Sequence, residues 1–255
     1  MPAKDRAQPR LYSELASWFH LLTPPENYAE EARFYRRTLL ASVKPRSRTV
    51  LELGSGGGNN ASHMKRWFQM TLTDLSPQML KISHALNPEL EHIRGDMRTL
   101  RLGREFDAVF AHDALMYMTT ERDLRAAIET AYVHTRTGGA ALFVPDCTRE
   151  TLRPQTNCGG SDGDDGRGLR YLEWTWDPDP DDTWFYTDFA YLLRSPSGTI
   201  RAVHDRHIDG VFRRAEWLRL LREGGFRPRA LTFAHSDVGK LPAFLGVKPQ
   251  QAKRR

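Results

Sequence analysis

The run Val50-Leu51-Glu52-Leu53-Gly54-Ser55-Gly56-Gly57-Gly58-Asn59 constrains this chain more than any other stretch. An apolar strand carries one carboxylate and then breaks into glycines. Without Cβ atoms the backbone turns sharply and lets a ligand approach closely. Asn60 to Phe68 reads as a helix, so the unit is strand, glycine loop, helix. A second strand, Met70–Thr73, ends at Asp74, about twenty residues after the glycines, where a carboxylate accepts hydrogen bonds from ribose hydroxyls. The dinucleotide frame Gly-x-Gly-x-x-Gly fails, because Asn59 stands at its third glycine. The phosphate-loop signature fails too, since no Gly-Lys-Ser/Thr follows. What remains is Glu52-x-Gly54-x-Gly56-x-Gly58.

The rest of the chain supplies the rhythm of an α/β fold. Helices are expected over Leu11–Leu22 and Tyr28–Val43, with a turn at 44–47. Strands follow at Thr49–Leu53, Met70–Thr73, Glu91–Arg94, Phe106–Ala111 and Ala140–Val144. Between them lie a helix capped by Ser76 with Pro77 at its first position, and one capped by Thr119 or Thr120. Strands alternating with helices imply a doubly wound, mostly parallel sheet with right-handed crossovers. Ligands in such sheets sit beyond the carboxyl ends of the strands, here at Glu52–Asn59, Asp74, Asp96, His112–Asp113 and Asp146.

After residue 150 the rhythm changes. Residues 154–168, rich in glycine, serine and aspartate, read as a mobile loop and a lid over the cleft. Leu169–Trp176, Thr183–Arg194 and Thr199–Ile208, joined by Pro- and Gly-containing turns, read as a small inserted antiparallel sheet. Strand alternation puts Trp174 and Trp176 on one face and Tyr171 and Glu173 on the other. It likewise separates His204 and Arg206 from Asp205 and His207. A helix over 215–223 and strands near 229–233 and 243–247 complete the core. The organisation expected is a basic tail at 1–10, a helical cap at 11–45, a binding core at 46–150, the insertion at 151–210, completion of the core at 211–247 and a basic tail at 248–255.

Composition excludes more than it selects. The 255 residues carry a net charge of +5, of which +2 lies in residues 1–10 and +4 in residues 248–255, leaving the remainder at −1. Disordered basic tails are expected, not the basic stripe of a duplex-binding face. Cys147 and Cys158 are the only cysteines, which argues against a disulfide framework and a cysteine zinc site. No metal site is expected. No apolar segment follows the basic start, so no signal peptide is expected, and no apolar run approaches the ~20 residues of a membrane span. A cytoplasmic protein is expected.

The acid-x-Gly-x-Gly-x-Gly run, with Asp74 and Gly95-Asp96-Met97 in register, resembles the class I S-adenosylmethionine-dependent methyltransferases. The resemblance implies a Rossmann-like core and S-adenosyl-L-methionine as cofactor. It places cofactor contacts at Tyr12, Tyr28, Glu52, Gly54, Gly56, Gly58, Asp74, Leu75, Asp96, Met97, His112 and Tyr117. In the family the loop passes the aminoacyl part, the acid after the second strand holds the ribose, and the acid at Asp96 reads the adenine. Leu11-Tyr12-Ser13-Glu14-Leu15, Asn27-Tyr28-Ala29-Glu30-Glu31-Ala32 and Asp205-x-His207 are similar to the N,N-dimethyltransferases of antibiotic amino sugars. His112-Asp113 departs from that pattern and leaves the acceptor open. The function implied is methyl transfer to nitrogen or oxygen of a small molecule, by a monomer or homodimer. A neutral imidazole at His112 or His207 is the candidate base. A nucleic-acid methyltransferase is the alternative, but no Asn-Pro-Pro-Tyr-like tetrapeptide is present. A cofactor-binding module without catalysis is the third reading.

Overall fold

The computed structural model describes residues 8–43, 48–237 and 239–250. Seven strands form the main sheet: β1 (Thr49–Leu53), β2 (Gln69–Asp74), β3 (Glu91–Arg94), β4 (Phe106–His112), β5 (Thr135–Val144), β10 (Arg227–His235) and β11 (Gly239–Val247). Their order is β10-β11-β5-β4-β1-β2-β3. β11 runs antiparallel to β5 and β10, and the remaining pairs are parallel. Chain order reverses at β1 and β4, so a cleft opens at their carboxyl ends.

Alternation along each central strand feeds two cores. Leu51, Leu53, Val109, Ala111 and Phe143 pack with Leu124, Ile128, Trp217 and Leu220 of helices α5 (Glu121–His134) and α6 (Arg214–Glu223). Val50, Leu72, Ala108, Phe110 and Leu142 pack on the other face with Tyr35 and Leu39 of α2 (Ala29–Ser42) and Met64 of α3 (Asn59–Met64). Asp107 interrupts the apolar run of β4 without penalty. It accepts from the Thr49 N–H at 2.9 Å and hydroxyl at 3.0 Å and pairs with Arg136. The Ser76 hydroxyl accepts from the Met79 N–H and so caps α4 (Pro77–Leu86).

The inserted sheet, between β5 and α6, has four antiparallel strands in the order β6 (Gln155–Asp162), β7 (Gly168–Trp176), β8 (Trp184–Arg194) and β9 (Ile200–Gly210). Trp174 and Trp176 stack on its outer face, with ring centroids 5.7 Å apart. Tyr171 joins Leu169, Tyr191 and Val203 against Leu15 of the N-terminal segment.

Several sequence expectations need correction. Residues 155–162 are not a loop: β6 pairs with β7 from Gln155↔Thr175 to Asp162↔Gly168. Composition misleads because an edge strand satisfies its backbone through one neighbour and needs no core of its own. Leu11–Leu22 is not one helix but 3-10 turns at Arg10–Tyr12 and Ala16–Trp18 followed by α1 (Phe19–Leu22). Its apolar residues serve two bodies: Leu11, Ala16 and Phe19 pack with Met79 of α4, and Leu15 with the inserted sheet. A single helical face cannot point both ways.

Arg10 and Lys248, placed by the sequence in the basic tails, both bond to the folded body. The Arg10 N–H donates to Asp205, and the Lys248 ammonium donates to the Tyr132 and Thr135 carbonyls. The expected turn at 44–47 and the outer parts of both tails lie outside the described residues. Among the described residues no helix is long and apolar enough to cross a membrane.

Candidate active site

The glycine loop and the end of β2 close on one another. Gly54 and Ser55 donate their N–H groups to the Thr73 carbonyl at 2.8 and 2.9 Å. Gly54 has φ 73°, and a Cβ there would stand 2.3 Å from that of Ala114 and 2.8 Å from Met97 Cε. Glycine is required twice over, by conformation and by space. Asp74 accepts from the N–H of Gly56 at 2.9 Å and of Ser76 at 2.8 Å. Burial pushes its carboxyl up, and these N–H groups oppose the shift. Glu52, 3 % exposed, keeps an Oε2 with no partner. Burial and then Asp74 push its carboxyl up to about 8.

Asp96 lies after β3, held by Arg98. Arg98 Nη2 donates to Oδ2 at 2.6 Å, and Nε and the backbone N–H donate to Oδ1 at 3.0 and 2.8 Å. The guanidinium holds the carboxyl below its ordinary range. Each oxygen keeps lone-pair capacity for a further donor. Met97 packs into the core beneath, and Leu75 stands half exposed at the rim.

A second group of side chains sits at the ends of β4 and β5. His112 lies against Phe110 and Tyr35 and edge-on to Tyr28. Its Nε2 is 2.7 Å from Asp113 Oδ1 and 3.7 Å from Glu31 Oε1, and its Nδ1 is 3.2 Å from Asn60 Nδ2. Asp113 has φ 33°, among the described residues the one positive φ outside glycine. A non-glycine residue held there costs of order 1–3 kcal/mol, which the surroundings must supply. A carboxylate oxygen of Asp113 lies within 4.8 Å of one of Asp146. Burial pushes Asp113 up and, with Asp113 beside it, pushes Asp146 well above the carboxylate range. A ligand atom from each of His112, Asp113 and Asp146 falls within 4.8 Å of the others.

His207 belongs to a different chain. The Tyr12 and Tyr117 hydroxyls are 2.9 Å apart, and the Tyr117 hydroxyl is 2.9 Å from His207 Nδ1. His207 Nε2 is 3.4 Å from Asp205, whose carboxylate accepts from the Arg10 and Leu11 N–H groups at 2.9 and 2.8 Å. Tyr28 is elsewhere, its hydroxyl accepting from Thr23 at 2.8 Å. The structure thus gathers Glu52, the glycines and Asp74 at one place, and Tyr12, Tyr117 and His207 at another. His112 groups with acids.

Asp209, Glu31 and Glu173 join the site without having been singled out for it. Burial pushes Asp209 up to about 6 and Glu31 to about 7, and raises Glu173. Two signals were present. Extending the alternation 205, 207 by one step reaches Asp209, and Glu31 begins the stripe Glu31, Tyr35, Leu39 on the buried face of α2.

Residues 50–139 match the family described as a methyltransferase domain. The chain is 26% identical over 224 residues to the dTDP-3-amino-3,4,6-trideoxy-α-D-glucopyranose N,N-dimethyltransferase of Streptomyces venezuelae, covering 87% of this chain and 92% of that one. Among solved structures it is similar to a sugar N-methyltransferase from Streptoalloteichus sp., with TM-score 0.80, 22% identity and coverage of 98% and 97%. An amino pentose methyltransferase from Micromonospora echinaspora, solved with S-adenosylmethionine bound, gives TM-score 0.75, 20% identity and coverage of 92% and 97%. The two structures show a shared fold.

Proposed function

We propose that this chain, an S-adenosylmethionine-dependent methyltransferase of the class I fold, methylates the nitrogen of a small-molecule amine, with an amino sugar as the acceptor type. The observation that carries the proposal is that the cofactor cradle and a carboxyl-rich pocket open at neighbouring strand ends. Similarity to an amino-sugar N,N-dimethyltransferase over most of the chain supports the acceptor type.

The chain's residues fit the cofactor. The unpartnered Glu52 Oε2 suits the amino group of its aminoacyl part, the glycine loop leaves room for its backbone approach, and Asp74 suits the ribose. When bound, the cofactor supplies an electrophilic methyl group on sulfur. The protein then has to hold the acceptor nitrogen in line, exclude water and accept a proton. His112, Asp113 and Asp146 stand at the ends of β4 and β5, where an acceptor reaches the cofactor. The Tyr12–Tyr117–His207 chain joins the N-terminal segment to the inserted sheet and borders the acceptor side.

The reading extends to a monomer or homodimer in the cytoplasm with no nucleic-acid or membrane partner. Two free cysteines support the compartment, and the confinement of net positive charge to the ends of the sequence supports a small acceptor. The test is calorimetric titration with S-adenosylhomocysteine, followed by turnover on a panel of amino sugars, their nucleotides and phenols. Binding with turnover of amines is expected. Turnover of phenols alone would overturn the nitrogen acceptor.

A further inference from the structure

Four side chains run from helix α2 to the floor of the cleft. Glu31 is nine-tenths buried, and its Oε1 has no hydrogen-bond partner although it points at the cluster, 3.7 Å from His112 Nε2. His112 Nε2 is 2.7 Å from Asp113 Oδ1, and a carboxylate oxygen of Asp113 lies within 4.8 Å of one of Asp146 at the open end. Asn60 Nδ2 lies 3.2 Å from His112 Nδ1, and with the amide nitrogen as donor the imidazole proton sits on Nε2, 2.7 Å from Asp113 Oδ1. In that tautomer Nε2 presents a donor and not an acceptor. Two carboxyl groups can hydrogen-bond only by sharing a proton, since two carboxylates offer no donor. Two carboxylates held close together repel, so such a pair favours one proton and one negative charge.

We propose that the Asp113–Asp146 pair is an ammonium-binding site that takes up the proton the acceptor amine must lose, with His112 as its positioning residue. This inference rests on the amine reading above. The surroundings suit a cation. Facing the pair are His112 on β4, Glu31 on α2, Glu173 on β7, and Asp209 and His207 on β9. Tyr12, Tyr28, Tyr35 and Tyr117 also lie within electrostatic reach of the pair, and Glu31 Oε1 adds an acceptor with no hydrogen-bond partner. An ammonium ion supplies the missing charge and N–H groups together.

The chemistry balances. An ammonium nitrogen has no lone pair, so one N–H proton passes to the ionised carboxylate of the pair. The freed pair forms the new N–C bond as the methyl C–S bond breaks and its electrons stay on sulfur. The methylated nitrogen is again positive and again holds a proton to lose before a second methyl is added. One proton is therefore released per methyl group, and the carboxyl pair returns it to water before the next transfer. The surroundings of Asp146 and the neighbouring Asp113 raise its carboxyl, which favours the protonated form.

The experiment uses the full chain saturated with S-adenosylhomocysteine, titrated with D-glucosamine as the charged probe and N-acetyl-D-glucosamine as its neutral counterpart, between pH 6 and 8. Wild type should bind glucosamine and not the acetylated sugar, and its affinity should fall toward pH 6 as the pair takes its second proton. Asp146→Asn should weaken glucosamine roughly 10- to 100-fold, the loss of one charge-assisted hydrogen bond, and leave the remaining affinity flat with pH. His112→Asn should weaken it less and keep the pH dependence. Equal binding of both sugars, no binding of glucosamine, or an Asp146→Asn variant with wild-type affinity and pH dependence would overturn the proposal. So would tight binding of Mn2+ alone that Asp146→Asn abolishes, since the site would then be a metal site. Affinity for S-adenosylhomocysteine separates the two readings: if it is absent in wild type the methyltransferase reading fails, and if it is equal in all three proteins only the ammonium site is at stake.

Discussion

The Tyr117 hydroxyl and His207 Nδ1 lie 2.9 Å apart across the join between the main sheet and the inserted sheet. Tyr117 follows β4 and His207 belongs to β9, so a side-chain bond links the main sheet to the inserted sheet. Deleting either partner alone should remove the same interaction. In a double-mutant cycle of Tyr117→Phe and His207→Asn, the coupling in unfolding free energy should be about 0.5–1.5 kcal/mol. Additive effects in denaturant melts would show that the contact carries no energy.

Gly54→Ala should be severe. The added methyl meets Ala114 Cβ at 2.3 Å in a backbone conformation that disfavours side chains. A loss of roughly 2–4 kcal/mol is expected, with loss of S-adenosylhomocysteine binding. Thermal melts with and without ligand would check it, and a variant that melts and binds like wild type would disprove the geometry of the loop.

Asp74→Asn should act on the cofactor and little on the fold. One amide N–H2 would face the N–H donors of Gly56 or Ser76, which now meet carboxylate oxygens at 2.9 and 2.8 Å. Cofactor affinity should fall roughly tenfold or more, from a lost charge-assisted hydrogen bond. Unchanged calorimetric affinity would remove Asp74 from the ribose site.

Stability should fall as pH rises from 6.5 to 8. The Glu52 carboxyl titrates near 4.5 when unfolded and near 8 when folded. Between those values the folded state holds a proton that the unfolded state has lost, so each pH unit costs up to about 1.4 kcal/mol per such group. Glu31, raised to about 7, adds the same sign in the lower part of the window. The histidines His20, His92 and His134, whose shifts are downward, act with opposite sign below their unfolded range. Melting temperatures of wild type and Glu52→Gln at the two pH values would decide it. A decline of the same size in both would exclude Glu52 as its source.

Asp205→Asn should loosen the N-terminal segment. The Arg10 and Leu11 N–H groups both donate to this carboxylate, and an amide can accept from only one side. A loss of about 1–3 kcal/mol is expected, with faster hydrogen exchange at Leu11. Unchanged exchange would mean that packing of Leu11 and Leu15 alone holds the segment.

The sequence by itself determined the α/β sheet, the glycine loop with Glu52 and Asp74 at its edges, and the two-sided inserted strands. Each of these is written locally, in the period of apolar residues and in glycines that no other residue replaces. Tertiary structure alone decided how the polar residues combine. Asp113, Asp146 and Glu31 come from three elements, and only sheet order and the seat of α2 bring them to His112. The same holds for Asp205, whose partners are backbone groups nearly the whole chain away. It holds also for β6, whose glycine-rich sequence has no strand pattern until β7 supplies a ladder. Local pattern records which face of an element is buried. It does not record which distant charge arrives there, and that arrival is what sets Asp113, Asp146 and Glu31 around His112.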